Sequence, residues 1–134
     1  MSVVESINYD GIQVTLTVSG IRTVLLNRSK RNNAMTIQMF ADVTKILNDA
    51  ATDGDRTKLV YITGGNGSYF SSGNDLLNYF PREEIDPVEL LESGSKTFED
   101  YVAAFINFPK LGSYDNDKLY YEYFVTLFLT TTIY

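Results

Sequence analysis

The 134-residue sequence contains no cysteine and no histidine. The absence of cysteine excludes disulfides, thiol nucleophiles and cysteine-based metal sites. The absence of histidine excludes histidine-dependent catalytic triads and the usual zinc and iron ligand sets. Any proton transfer must therefore use aspartate, glutamate, tyrosine or lysine, and we expect no metal site.

Positive charge is also in the minority, with 11 basic residues against 17 acidic ones and a net charge of −6. This balance argues against nucleic acid or an anionic membrane surface as the main partner. The longest apolar stretch, residues 124–134, is interrupted by threonines and is too short to span a bilayer as a helix. The first residues carry no secretory signal pattern, and the last three are not a Ser-Lys-Leu address. We expect a soluble intracellular protein with no visible targeting signal.

The hydrophobic pattern predicts one α/β domain that begins with a β-hairpin. Residues 12–18 and 21–26 alternate as strands, and residues 1–11 add an edge segment. Thr36 is a plausible N-cap for a helix that ends near Asp53, and residues 59–63 form a buried strand. This strand–helix–strand unit should be a right-handed crossover with parallel strands. The predicted buried face of the helix comprises Ile37, Phe40, Ala41, Val43, Leu47, Ala50 and Ala51.

A second helix is predicted from Asp86, as its cap, to about Phe108, before Pro109 ends it. Gly94 is a weak point within this helix. Its predicted buried stripe comprises Leu91, Phe98, Tyr101, Val102, Phe105 and Ile106.

The segment most informative about function is residues 64–76, Gly-Gly-Asn-Gly-Ser-Tyr-Phe-Ser-Ser-Gly-Asn-Asp-Leu, which follows the 59–63 strand. Small residues here let a ligand approach the backbone, and free N–H groups suit an oxyanion or another anionic group. The competing interpretation is an ordinary turn after a strand. A Walker phosphate loop is excluded, because no Gly-Lys-Ser/Thr follows the glycines.

Three blocks of the sequence together resemble the crotonase (enoyl-CoA hydratase/isomerase) superfamily. Residues 26–35, Leu-Asn-Arg-Ser-Lys-Arg-Asn-Asn-Ala-Met, are similar to the family's Leu-Asn-Arg-Pro-x-x-x-Asn-Ala segment, with Ser29 in place of the proline. Residues 68–80 resemble its first oxyanion loop, in the form closest to Δ3-Δ2-enoyl-CoA isomerases. Residues 105–110, Phe-Ile-Asn-Phe-Pro-Lys, match the same branch, and the blocks keep family order and spacing. The resemblance implies the N-terminal part of a crotonase-like fold.

The resemblance also implies an acyl-CoA site that needs no cofactor, because the coenzyme A thioester is itself the substrate. The backbone N–H of Ser72 would be the first of two oxyanion donors that stabilise the enolate. Arg28, Lys30 and Arg31 would lie near the CoA phosphates, although the alternative for each is a solvated loop charge. Ser71 and Ser72 matter as small residues, and neither has a base that would make it a nucleophile. The implied site comprises Ser71, Ser72, Gly73, Asn74, Asp75 and Leu76 from the turn, and Arg28, Lys30, Arg31, Asn33 and Ala34 from the earlier block.

The resemblance stops after about Lys110, which divides the chain into a partial crotonase-like domain, residues 1–110, and a divergent tail, residues 111–134. The family's second oxyanion donor and its catalytic glutamate have no counterpart in this tail. Glu83, Glu84 and Asp86 follow the oxyanion loop, but acids in a surface loop are far more often solvated than catalytic, so we do not expect them to replace the glutamate. We therefore expect an isomerase-like protein that is truncated and weakly active or inactive alone. The alternative is a non-catalytic acyl-CoA-binding or subunit-interaction module. Family members form homo-oligomers and occur in peroxisomes or mitochondria.

Overall fold

The computed structural model describes residues 2–65, 70–80 and 84–112 of the chain. The helices and strands are β1 (Val3–Tyr9), β2 (Ile12–Thr17), β3 (Ile21–Leu26), α1 (Ile37–Thr52), β4 (Leu59–Thr63) and α2 (Pro87–Ile106). Short 3₁₀ turns occupy Ser29–Arg31, Leu76–Tyr79 and Pro109–Gly112. The predicted α/β class is confirmed. Predictions about residues 66–69 of the glycine-rich bend, Glu83 and the tail from residue 113 lie outside the described residues.

The four strands form one sheet in the order β1-β2-β3-β4. β1 pairs antiparallel with β2, and β2 pairs antiparallel with β3, which confirms the predicted hairpin and its edge segment. The chain then passes through α1 and returns as β4, which pairs parallel with β3 from Ile21↔Leu59 to Leu25↔Thr63. The predicted parallel strand–helix–strand unit is therefore confirmed. Both β3 and β4 end at the same edge of the sheet, where the candidate site lies.

One face of the sheet supplies the core, because alternate side chains of each strand point to the same side. The buried residues of β2, β3 and β4 include Ile12, Val14, Leu16, Val24, Leu26, Val60 and Ile62. The prediction of a buried β4 holds for this face only. Leu59 and Tyr61, on the other face, are 43% and 55% exposed.

Helix α1 covers the buried face of the sheet and begins where the sequence predicted. The Thr36 side chain accepts a hydrogen bond from the Met39 N–H at 3.1 Å, which satisfies one unpaired donor of the first turn. The buried face comprises Met39, Phe40, Val43, Ile46, Leu47 and Ala50. The prediction that Ala41 is buried is wrong, because Ala41 lies on the solvent side of the helix.

Helix α2 packs against α1 through aromatic side chains, and Asp86 caps its first turn by accepting from the Val88 N–H at 2.7 Å. The ring centroid of Phe40 lies 5.5 Å from that of Phe98 and 4.8 Å from that of Tyr101. The helix continues through a buried Gly94. No helix in the described part of the chain is long and apolar enough to cross a membrane.

The prediction that Leu91 and Ile106 belong to the buried stripe of α2 is wrong, since Leu91 is 54% and Ile106 57% exposed. Phe40 lies in the first turns of α1 and already contacts Phe98, so the turns of α2 before Phe98 extend beyond the start of α1. Leu91 belongs to the turns of α2 that α1 does not cover. Ile106 follows the buried Phe105 by one residue, which rotates it about 100° around the helix toward solvent.

A network of ion pairs and hydrogen bonds links several elements at the end of the sheet opposite the carboxyl ends of β3 and β4. The buried Arg22 guanidinium in β3 donates to Thr57 at 2.9 Å, to Glu5 at 3.1 Å and to Asp53 at 3.2 Å. Asp53 also pairs with Lys110, whose ammonium donates to the Gly54 carbonyl at 2.7 Å. The network therefore joins β1, β3, the end of α1 and the segment after α2.

Candidate functional site

Two segments that are distant in sequence meet at the carboxyl ends of β3 and β4: the loop at residues 27–36 and the turn at residues 70–75. Their backbones run side by side in a parallel bridge between Met35 and Asn74. The Met35 N–H donates to the Gly73 carbonyl at 2.8 Å, and the Asp75 N–H donates to the Met35 carbonyl at 2.9 Å. The structure thus brings together the two blocks that carry the predicted acyl-CoA site.

The Asn33 side chain is the centre of the hydrogen bonds between the loop and the turn, and it is only 1% exposed. Its amide nitrogen donates to the carbonyls of Gly64 at 3.2 Å and Phe70 at 3.1 Å. Its side-chain oxygen accepts from the Arg28 N–H at 2.8 Å. Asn33 has a φ of 54°, a conformation that asparagine tolerates better than most residues. This one side chain therefore links the loop, the end of β4 and the turn.

An ion pair reinforces the same junction. The Asp75 carboxylate, 6% exposed, lies 3.2 Å from Arg28 Nη1 and 3.6 Å from Arg31 Nη2. The Leu77 N–H also donates to it at 3.1 Å, so Asp75 caps the short 3₁₀ helix Leu76–Tyr79. Arg28 Nη1 further donates to the Ala34 carbonyl. Burial raises the pKa of Asp75, but the Leu77 hydrogen bond and the Arg28 charge outweigh it and hold the pKa below its usual value.

The backbone of the turn has the conformation that its glycine predicts. Gly73 is buried with a φ of 94°, so a side chain at this position would be strained. The Gly73 N–H donates to Ser71 Oγ at 3.0 Å, and Ser71 Oγ donates to the Asn33 carbonyl at 2.8 Å. The Ser71 hydroxyl is therefore used in the turn itself, which agrees with its predicted role as a small residue.

The N–H of Ser72, the predicted oxyanion donor, donates to the Asn32 carbonyl at 2.9 Å. A ligand carbonyl could use this donor only by replacing the Asn32 carbonyl. The assignment of Ser72 as oxyanion donor remains a prediction. If it is right, the Ser72 N–H must change its acceptor from the Asn32 carbonyl to the ligand oxygen when the ligand binds.

The remaining predicted site residues differ in their surroundings. Lys30 is exposed, Arg31 is 52% exposed, and Ala34 and Asn74 are half-buried. Leu76 is 73% exposed and is the first exposed residue of an apolar segment of the chain, residues 76–80 and 84–91, that follows the turn. Its other exposed members are Leu77, Phe80, Ile85, Val88 and Leu91.

Sequence reasoning missed two features of the site. It left open whether Arg28 lies near the CoA phosphates or is a solvated loop charge, and it did not identify the ion pair of Arg28 with Asp75. It placed Asn33 in the implied site without a role for its side chain, whereas the side chain makes the connections. The Asn32-Asn33 pair was a usable signal, because asparagine is enriched at left-handed positions, where both residues lie. No local signal points to the Arg28–Asp75 pair.

Comparison with known proteins matches residues 21–102 to the family model for enoyl-CoA hydratase/isomerase. The chain is 39% identical over 100 residues to rat enoyl-CoA delta isomerase 2, covering 75% of this chain and 24% of the relative. It is 33% identical over 91 residues to mouse peroxisomal enoyl-CoA delta isomerase 3, covering 68% of this chain and 27% of the relative.

The fold also matches a crystal structure of an enoyl-CoA hydratase/carnitine racemase from Magnetospirillum magneticum, with a TM-score of 0.64 at 20% identity. That match covers 77% of this chain and 37% of the crystallised chain. The chain thus spans only about a quarter of the two isomerases and just over a third of the crystallised protein.

Proposed function

Because the chain belongs to the enoyl-CoA hydratase/isomerase family, we propose that the loop and the turn form an acyl-CoA site. The observation that carries this proposal is their junction at one edge of the sheet, with Gly73 at positive φ beside the Ser72 N–H. The thioester carbonyl would lie against the turn, and the CoA phosphates near the exposed cations of the loop. The exposed Leu76 and Leu77 offer apolar surface for the acyl chain.

The hydrogen bond between Ser72 and Asn32 gives this site a preference for the charged form of a ligand. Replacing one neutral carbonyl with another at the Ser72 N–H changes the free energy little, because one ordinary hydrogen bond replaces another. An enolate oxygen carries negative charge, and charge-assisted hydrogen bonds are roughly twice as strong. The exchange would therefore favour the enolate over the ground-state thioester, which is the discrimination that catalysis requires.

We propose that the 134 residues alone bind acyl-CoA without isomerising it. Moving the proton needs a carboxylate base, and Asp75 is a poor base because its pKa is held low by Leu77 and Arg28. The second donor and the base would come from the part of the relatives that this chain does not cover. The substrate class is a 3-enoyl-CoA, no cofactor is needed, and the compartment is the peroxisome or mitochondrion.

A subunit-interaction module is the second candidate function, and the exposed apolar segment that follows the turn favours it. Exposed apolar side chains that follow one another closely in the chain can contribute to a protein interface. The two candidates differ in solution, because an interaction module would self-associate with no response to acyl-CoA. Sedimentation with and without 3-hexenoyl-CoA separates them.

The proposed function is tested by thermal unfolding in the presence of 3-hexenoyl-CoA, with Gly73→Val as the site variant. A ligand that binds only the folded state raises the melting temperature, by an amount equivalent to about 2.7 kcal/mol at a hundredfold excess over Kd. We expect this shift in the unmodified chain and its loss in Gly73→Val.

Gly54→Val is the matched control, because Gly54 also has a positive φ, of 67°, but lies after α1 in open space. It should lose intrinsic stability as Gly73→Val does and keep the ligand-dependent shift. Turnover should not exceed a buffer blank in any of the three proteins. A normal shift in Gly73→Val would show that the turn does not hold the thioester.

A further inference from the structure

We propose that Arg28 is a positioning residue for the acyl-CoA site: through Asp75 it fixes the turn that carries the Ser72 N–H, and it does not bind the CoA phosphates. This inference rests on the proposed function. It assigns different tasks to three cations that the sequence treats alike, Arg28, Lys30 and Arg31.

The surroundings of Arg28 direct its side chain inward. Its Nη1 lies 3.2 Å from Asp75 Oδ2 and also donates to the Ala34 carbonyl. The aliphatic part of the side chain lies directly against Gly11, where an added Cβ would come within 2.8 Å of both Arg28 Cγ and Cδ. The Arg28 N–H is held by Asn33 at 2.8 Å. The backbone, the stem and the guanidinium are thus all fixed, and the side chain is only 23% exposed.

The position of Asp75 makes this ion pair a device for holding the turn. The Asp75 N–H donates to the Met35 carbonyl. The Asp75 carboxylate accepts hydrogen bonds from the Arg28 guanidinium in the loop and from the Leu77 N–H in the following 3₁₀ helix. Asp75 lies three residues after Ser72 along the same short backbone ladder. Loosening the ion pair should therefore loosen the Ser72 donor.

The same carboxylate makes Arg28 a poor phosphate ligand, because a CoA phosphate near Arg28 would also lie near the negative charge of Asp75. Lys30 is exposed, and Arg31 is half-exposed at a looser 3.6 Å from Asp75. Lys30 can turn toward a phosphate freely, and Arg31 loses only its longer contact with Asp75 in doing so, so neither movement breaks the Arg28–Asp75 pair. We therefore assign the phosphate contact to Lys30 and Arg31.

Binding of free CoA and of 3-hexenoyl-CoA to Arg28→Met and Lys30→Met tests this division. Arg28→Met should weaken acyl-CoA binding about tenfold and leave free CoA within about twofold, because only the acyl end of the ligand contacts the turn and the neighbouring Leu76 and Leu77. Lys30→Met should weaken both ligands equally, and more at low salt than at high salt. The proposal would be overturned if Arg28→Met weakened the binding of both ligands equally, or if it weakened the binding of neither.

The Asp75→Asn variant distinguishes the two possible roles of Arg28, because the two roles predict opposite changes in ligand affinity. If Arg28 positions the turn, Asp75→Asn repeats the selective loss of acyl-CoA binding. If Arg28 binds phosphate, removing the competing carboxylate strengthens the binding of free CoA instead, and the proposal fails. The matched control pair is Lys45→Met and Asp49→Asn, which breaks an exposed ion pair on α1 away from the site and should change neither ligand.

A measurement without ligand separates this inference from the proposed function. The Ser72 and Gly73 amides are hydrogen-bonded, so they should be protected from hydrogen exchange in the unmodified chain. Arg28→Met and Asp75→Asn should speed their exchange about tenfold, with β2 and α1 amides unchanged. Unchanged exchange at Ser72 overturns the positioning role whether or not acyl-CoA binds. Accelerated exchange with no acyl-CoA binding to the unmodified chain would overturn the proposed function alone.

Discussion

Arg22 and Arg28 follow one another closely in the chain, and each pairs with an aspartate, but they fasten different regions. Arg22 lies within β3, donates to three side chains and belongs to a network that extends to Arg56 and Lys110. Arg28 follows the end of β3 and joins one loop to one turn through Asp75, while its hydrogen bond to the Ala34 carbonyl stays within the loop. The Arg22 network thus joins several elements of the scaffold, whereas the Arg28–Asp75 pair joins only the two segments of the candidate site. Variants of the site should therefore change ligand responses before they change global stability.

The largest expected change in the free energy of unfolding comes from shortening the chain just after α2. A chain that ends at Asn107 loses Phe108, which is 5% exposed in the core, and the Lys110 contact with Asp53. Deleting a buried phenylalanine side chain alone typically costs about 3–5 kcal/mol. We expect chemical denaturation to show at least this loss relative to a chain that ends at Gly112. The longer chain should keep one cooperative transition.

This pair of truncations also tests the predicted domain boundary near Lys110. If the chain ending at Gly112 has no sharp transition while the 134-residue chain has one, the tail belongs to the core and the boundary is wrong. If the chain ending at Asn107 is as stable as the one ending at Gly112, the segment after α2 contributes nothing to the scaffold.

Two leucines give a smaller effect that compares the regions directly. Leu47 is 2% exposed inside the core, so Leu47→Ala should lower the free energy of unfolding by about 3 kcal/mol through lost burial and the cavity left behind. Leu76 is 73% exposed beside the turn, so Leu76→Ala should change stability by less than about 0.5 kcal/mol. Urea titrations measure both. A large loss in Leu76→Ala would mean that the apolar segment that follows the turn is covered in solution.

The contrast between the regions also explains what the sequence could predict. Strands and helices have a period of 2 or 3.6 residues, so β2, β3, α1 and the caps Thr36 and Asp86 are visible in the sequence. The burial of individual apolar residues depends on where neighbouring elements end. This is why Leu91 was predicted to be buried and is exposed, whereas Ile106 is exposed because of its angular position on α2.

The site shows the same limit more sharply. Its two segments could be located from family resemblance, and Gly73 could be predicted as a backbone requirement that its φ confirms. The partner of Arg28 could not be predicted, because Asp75 is 47 residues away and several acids were equally available in sequence. The buried Arg22 was also missed, although a charged residue at an inward position of β3 is an unusual pattern.

The last prediction concerns how the free energy of unfolding changes with pH, which distinguishes Asp53 from Asp75. Burial raises the pKa of Asp53, but hydrogen bonds from Lys110 and Thr57 outweigh it and lower the pKa from 3.8 to about 2. A carboxyl group whose pKa is lower in the folded state stabilises the fold fully above pH 3.8 and loses that contribution as the pH falls toward 2. The shift corresponds to about 2 kcal/mol. We expect the difference in unfolding free energy between the unmodified chain and Asp53→Asn to shrink by about this amount between pH 5 and pH 2.

Asp75→Asn provides the comparison, because the pKa of Asp75 is also lowered but the residue fastens only the site. Its effect on stability should have the same sign of pH dependence, while its effect on the acyl-CoA-dependent melting shift at pH 7 should exceed that of Asp53→Asn. Urea titrations at several pH values, with melting curves at pH 7, measure both quantities. If Asp53→Asn abolishes the ligand shift while Asp75→Asn preserves it, the division between scaffold and site drawn from Arg22 and Arg28 is wrong.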